Sequence, residues 1–140
     1  MRIDYSQIEP ELTSRFRHLT RDLAQTSIAP SLRALIELRV SQINHCAYCI
    51  QLHQAEARHL GEDQARLVQL PEWRTSPLFT PREQAALAWA EALTHKATVH
   101  DDSQEYDQLT TLFSEQEIVA LGFVISLANF WNRMAGGFRK

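Results

Sequence analysis

Apolar residues recur along this chain at helical spacing almost from end to end. Leu12, Phe16, Leu19 and Leu23 stand four, three and four residues apart, which predicts an amphipathic helix over Ile8 to Leu23. Thr26 to Pro30 reads as a connection, and Ser31 is placed to cap a helix from about Leu32 to Ile43. Leu32, Leu35, Ile36 and Ile43 form the stripe of that helix, with Arg39 inside it. A guanidinium there requires a carboxylate partner or an exit to solvent. Glu37 lies on another face of the same helix and cannot be that partner. Asn44, which tolerates the left-handed conformation and can cap a following helix, marks a break. The next helix then starts at Cys46, runs to about Leu60 and ends at Gly61.

The second half follows the same pattern. A short helix is expected over Asp63 to Leu70, then a loop from Pro71 to Pro77 with Trp73 embedded in it. Thr80-Pro81-Arg82-Glu83 combines a threonine cap, a proline at the first helical position and a glutamate three residues on. It opens an alanine-rich helix to about Thr94. Ser103 is a cap candidate for a helix reaching Phe113, and Ser114-Glu115-Gln116-Glu117 is a second capping box opening a helix to about Met134. That last helix is apolar nearly all round, from Ile118 through Phe123 to Trp131, as expected of a central core helix or of one covered by another subunit. With four glycines and no alternating apolar and polar runs, the reading is all-α: one domain over residues 1–140, a bundle of about six to seven helices.

Composition narrows the function more than the fold. The 140 residues are 44% hydrophobic and 22% charged, ordinary for a globular domain with a real core. A net charge of −3 supplies no reason to expect nucleic acid or an anionic membrane as partner. Met1 to Gln25 are polar and mixed in charge, so no signal peptide is expected. The apolar tract Ile118 to Trp131, interrupted by Ser126 and Asn129, reads as too short to span a bilayer. Cytoplasmic residence is the default that follows.

Both cysteines lie together, in His45-Cys46-Ala47-Tyr48-Cys49-Ile50-Gln51-Leu52-His53. On a helix beginning near Cys46, Cys49 falls about 60° from Cys46 around the axis and His53 about 20° from it, so one face carries all three. Cys49 and His53 are an i,i+4 pair, within reach of imidazole-to-thiol proton transfer. A helix N-terminus favours the thiolate, the form that attacks a peroxide or a disulfide. A structural staple between Cys46 and Cys49 would close a very short loop and remove little chain entropy. Three readings remain open on the residues alone: a redox dithiol, a zinc site using Cys46, Cys49 and His53 with His45 adjacent, and two inert thiols. The helix dipole favours Cys46 as the more acidic sulfur, and contact with His53 favours Cys49. Glu56 falls near the same face and is either a substitute acid or simply exposed. His18, His59, His95 and His100 have no cysteine at helical spacing and read as surface residues.

The run from Glu37 through Ser41-Gln42-Ile43-Asn44 to Cys46, Cys49 and His53 resembles the alkyl hydroperoxidase D (AhpD)-like branch of the carboxymuconolactone decarboxylase superfamily. The similarity continues through Leu78 to Glu83 and the Ala/Trp helix to Asn129-Phe130-Trp131-Asn132-Arg133, covering most of the chain. The resemblance implies an all-helical fold assembling as a homotrimer or homohexamer, and reduction of hydroperoxides by the dithiol. It implies that Cys49 becomes the sulfenic acid and that Cys46 supplies a proton and then closes the disulfide. His53 and Glu37 are implied as a proton relay, with a dithiol or an electron-carrier protein restoring the thiols. No metal or other cofactor is implied. Glu37 stands about one turn closer to the first cysteine than in the best-known branch, and Tyr48 stands where that branch has histidine. A hydrogen bond from Tyr48 to a peroxide oxygen and plain core packing are both open to it. Two alternatives stay beside this reading: a non-enzymatic zinc-binding or redox-sensing oligomer, and a decarboxylase-type enzyme, whose relatives generally lack the cysteine pair.

Overall fold

In the computed structural model, which describes residues 2–139, helices account for nearly all regular structure. Among the described residues there are eight α-helices: α1 (Tyr5–Ile8), α2 (Pro10–Asp22), α3 (Pro30–Ile43), α4 (Ala47–His59), α5 (Gln64–Gln69), α6 (Pro81–Thr94), α7 (Ser103–Leu112) and α8 (Glu115–Phe138). Short 3-10 turns follow α2 at Leu23–Gln25 and α5 at Leu70–Glu72. The bundle is built around α3, which packs against α4, α6 and α8. Leu35, Ile36, Leu38 and Val40 on it are all fully buried, so its apolar surface runs nearly all round instead of forming the single stripe expected. The core continues through Leu87 and Ala90 of α6 and Leu121, Val124 and Ile125 of α8. The alanines of α6 keep the side-chain layer thin and let it lie close to its neighbours.

Two boundaries follow the capping chemistry directly. Thr80 Oγ accepts the Glu83 N–H while the Glu83 carboxylate accepts the Thr80 N–H. Ser114 and Glu117 repeat the arrangement at the start of α8. Each box satisfies donors that the first helical turn leaves without partners. At the other end of α4, Gly61 takes φ +87° and its N–H reaches the Arg58 carbonyl, the left-handed termination that the sequence indicated.

Elsewhere the structure corrects the reading. The first predicted helix is broken before Pro10, which has no N–H to continue α1 and instead sits at the first position of α2. That break contributes to eight helices where about six to seven were expected. The inward ridge of α2 is Thr13, Phe16, Thr20 and Leu23, while Leu12 and Leu19 are each more than half exposed. Phe16 stacks on Phe130 at 4.5 Å between ring centres, and Thr20 Oγ1 accepts from Trp131 Nε1 at 2.7 Å. Ser31 caps nothing: α3 starts with Pro30 after Ala29. Asn44 stays in the right-handed region, and the exposed His45 takes φ +54°. Ser103 is the first residue of α7 rather than its cap, and its N–H goes to the Asp101 carboxylate at 3.0 Å.

Arg39 does find a carboxylate. Its Nε donates to Glu91 Oε1 at 3.0 Å, and Nη1 to Gln42 Oε1 at 3.2 Å. Glu91 also accepts from Trp73 Nε1 at 2.8 Å and pairs with Arg74 at 3.0 Å. The stretch expected to be a loop therefore begins as a 3-10 turn whose tryptophan is buried and tied to α6.

Helix α8 runs past Met134 through Gly136 and Gly137 to Phe138, and its 24 residues are long and apolar enough to cross a membrane on those criteria alone. The tract Ile118 to Trp131 is thus only part of a longer helix. One face of α8 is nevertheless core, and its Asn132 is buried and hydrogen-bonded to α3, the pattern of an interior helix. The opposite face is not covered: Val119 and Phe123 are each 60% exposed.

Candidate functional site

The dithiol sits where α3 hands over to α4, and buried and half-buried polar side chains hold that corner. Asn44 Nδ2 donates to Asn129 Oδ1 at 3.0 Å and to Asn132 Oδ1 at 2.9 Å. Asn132 Nδ2 donates to Ser41 Oγ at 3.1 Å, and that hydroxyl donates to the Glu37 carbonyl at 2.8 Å. The network joins the last turn of α3 to α8 and fixes the direction in which the chain leaves. The Cys46 N–H closes the turn onto the Ser41 carbonyl at 3.1 Å.

Cys46 is the N-cap of α4 and Cys49 its third residue, so both sulfurs lie at the positive end of the helix. They stand at bonding distance as a disulfide, with Cα atoms 5.2 Å apart, inside the span that a disulfide bridges. The two are not equivalent. Both are buried, but Cys49 lines a cavity of about 450 Å³ and Cys46 does not. His53, Glu37, Tyr48 and Leu52 share the cavity with Cys49, and Leu127 and Trp131 of α8 form part of the opposite wall.

The structure places Cys49, His53 and Glu37 on one cavity, the first two as their helical spacing predicted and Glu37 as the resemblance implied, with Glu56 beside them, and adds Arg33. His53 Nδ1 lies 3.2 Å from Glu37 Oε2 and 3.2 Å from Glu56 Oε2, and hydrogen-bond geometry is met toward Glu56. Arg33 lies 3.4 Å from Glu37 and 4.0 Å from Glu56. Burial pushes the Glu37 carboxyl above its usual range against the pull of His53 and Arg33. The hydrogen bond from His53 holds Glu56 below its usual range although burial opposes it. One imidazole thus stands between two carboxylates whose environments drive their acidities apart, the pattern that separates acid and base roles. With Nδ1 engaged in this way, Nε2 is the ring nitrogen not committed to these carboxylates.

Glu56 is partly exposed, its side chain at 43%, and is hydrogen-bonded to His53. Tyr48 is not a core residue but a cavity-lining one, 41% exposed. Arg33 was missed, although its i,i+4 spacing to Glu37 was a readable signal. His45 lies outside the cavity, and His18, His59, His95 and His100 are exposed. The ligand atoms of Glu37, His53 and Glu56 lie within 4.8 Å of one another, close enough to share a cation, but Arg33 already supplies positive charge to both carboxylates.

Residues 10–92 match the carboxymuconolactone decarboxylase family. The chain belongs to that family. The matched stretch contains Glu37, Cys46, Cys49, His53 and Glu56 and ends within α6, before the α8 wall of the cavity. Among relatives of this family member, the uncharacterized protein YdfG of Bacillus subtilis is 33% identical over 134 residues, 96% of this chain and 91% of YdfG. A solved structure from Agrobacterium tumefaciens, ATU0492, is 34% identical with a TM-score of 0.95, over 99% of this chain and 95% of that one. It is described as of unknown function and as a candidate antioxidant defence protein, AhpD. The debrominase Bmp8 shares the fold at a TM-score of 0.87 and 24% identity, over 96% of this chain and 72% of that one.

Proposed function

We propose that this carboxymuconolactone decarboxylase family member is an antioxidant peroxidase that reduces hydroperoxides through Cys49 and Cys46. The observation that carries the proposal is the asymmetry of the pair: Cys49 lines the cavity together with His53, and Cys46 does not. The antioxidant role suggested for the Agrobacterium structure agrees with this reading. In the reduced protein, His53 takes the Cys49 thiol proton, and the thiolate attacks the terminal oxygen of the hydroperoxide. The O–O bond breaks, Cys49 becomes a sulfenic acid, and the proton returned through His53 leaves with the alkoxide as an alcohol. The Cys46 thiol then condenses with the sulfenic acid, forming the disulfide and releasing water. A dithiol or a protein electron donor supplies the two electrons and two protons that reopen the pair. Glu37 and Glu56 are assigned to holding and recharging His53. The chemistry places the protein in a reducing compartment such as the cytoplasm. A homotrimer or homohexamer that covers Val119 and Phe123 is part of the proposal.

The test is thiol titration and intact mass before and after one equivalent of hydroperoxide. Two thiols and two mass units are lost if the pair closes. Cys49→Ser then abolishes turnover, and Cys46→Ser leaves a sulfenic acid that dimedone traps. Full turnover by the Cys49→Ser protein would refute the assignment.

A further inference from the structure

The cavity beside Cys49 is also lined by Arg17 and Arg21, two cations on one face of α2. Among the described residues neither has a carboxylate within ion-pair distance; Arg21 Nε donates only to the Arg17 carbonyl, at 3.4 Å. The other charged groups of the site are already matched, since Arg33 and His53 are shared between Glu37 and Glu56. The chain as a whole carries a net charge of −3, so two unpaired guanidinium groups at this one opening run against the overall balance. The rest of the cavity wall is largely apolar, with Leu23, Leu52, Val124, Leu127 and Trp131. At about 450 Å³ the cavity falls in the size range of small-molecule sites, roughly 300–1,000 Å³.

Two cations, an apolar wall and a sulfur lining one cavity match one class of molecule. We propose that the cavity binds amphiphilic carboxylates, with the chain along Leu127 and Trp131 and the carboxylate on Arg17 and Arg21. This rests on the peroxidase reading for its chemistry, and makes the substrate an organic hydroperoxide that carries an acid group. Guanidinium recognises carboxylate through paired N–H donors, and its exposure makes the contribution sensitive to salt.

Binding of an unreactive probe separates this proposal from the peroxide chemistry. Decanoate and 1-decanol, below the concentrations at which they aggregate, are titrated into the disulfide form by calorimetry at low salt. Decanoate is expected to bind about ten-fold more tightly than decanol, on the scale of a charge-assisted pair. In the Arg17→Gln/Arg21→Gln protein that ratio falls to near one while decanol affinity stays within about two-fold; Arg17→Lys/Arg21→Lys retains part of the preference. Equal binding of the two probes by the unaltered protein, no binding of either, a ratio that survives the double substitution, or equal loss of both probes would each overturn the proposal. The kinetic counterpart compares one carboxylated hydroperoxide with its methyl ester, the acid showing the lower KM only while both arginines are present. Carboxylate-selective binding without peroxide turnover would leave this site standing and sink the peroxidase reading alone.

Discussion

Replacing Glu37 by glutamine isolates the energetic consequence of putting a carboxylate under the bundle surface. Glu37 is 8% exposed, with His53 at 3.2 Å and Arg33 at 3.4 Å, yet burial outweighs both and raises its pKa from the ordinary value of 4.5. The folded chain therefore keeps the Glu37 proton at pH values where the unfolded chain has released it. A group raised in this way contributes stability that is complete below about pH 4.5 and is lost as pH rises through the folded value. Between those limits the slope from this one group approaches about −1.4 kcal/mol per pH unit. Glu56 acts in the opposite sense, since its pKa is lowered: its contribution is present above the ordinary value and lost as pH falls. Its side chain is 43% exposed, so its share is discounted for solvent screening, and it is present in both proteins, so most of it cancels on subtraction. Urea denaturation of wild type and Glu37→Gln from pH 4.5 upward, at constant ionic strength, provides the comparison. Wild-type stability relative to the variant should fall with rising pH by up to about 1.4 kcal/mol per unit and then level off. A difference that is flat across the range, or that grows with pH, would show that His53 and Arg33 overcome the burial cost and that the carboxylate is held ionised throughout.

Two further outcomes test the scaffold. Asn132→Ala removes one of the two acceptors of Asn44 and the donor to Ser41 at a buried position, and should cost about 1–3 kcal/mol in urea denaturation. The same variant should accelerate amide exchange at Cys46, whose N–H closes the turn on Ser41. Thr80→Ala deletes the side-chain half of the α6 capping box and should cost about 0.5–2 kcal/mol, with the Cys49 thiol no less reactive, since the box lies outside the cavity.

The local chemistry of the chain was legible because it acts over a few residues. Capping boxes at Thr80 and Ser114, the left-handed stop at Gly61 and the start of α4 at Cys46 all depend on neighbours within one turn. For the same reason the placing of Cys49 and His53 one turn apart on α4 followed from helical spacing, whereas Cys46, the extended N-cap, lies off the face that they share. Where two local options competed, sequence alone chose badly. Leu12 and Leu19 satisfied the helical period as well as Thr13 and Thr20 do, and only the aromatic pair Phe130 and Trp131 on α8 decided which ridge of α2 turns inward. Asn44 was a plausible left-handed residue, but Asn129 and Asn132 occupy its side chain, and His45 makes the turn instead.

By itself, then, the sequence determined an all-helical chain, the positions of most helix starts and the arrangement of two sulfurs and an imidazole along one helix. Tertiary structure decided which sulfur opens on a cavity, that Glu37 and Glu56 meet at one imidazole from two helices, and that Arg39 is answered by Glu91. The physical reason is range. Hydrogen bonding within a turn is written in adjacent residues, whereas desolvation and charge pairing depend on what α3, α4 and α8 bring into contact across tens of residues of chain.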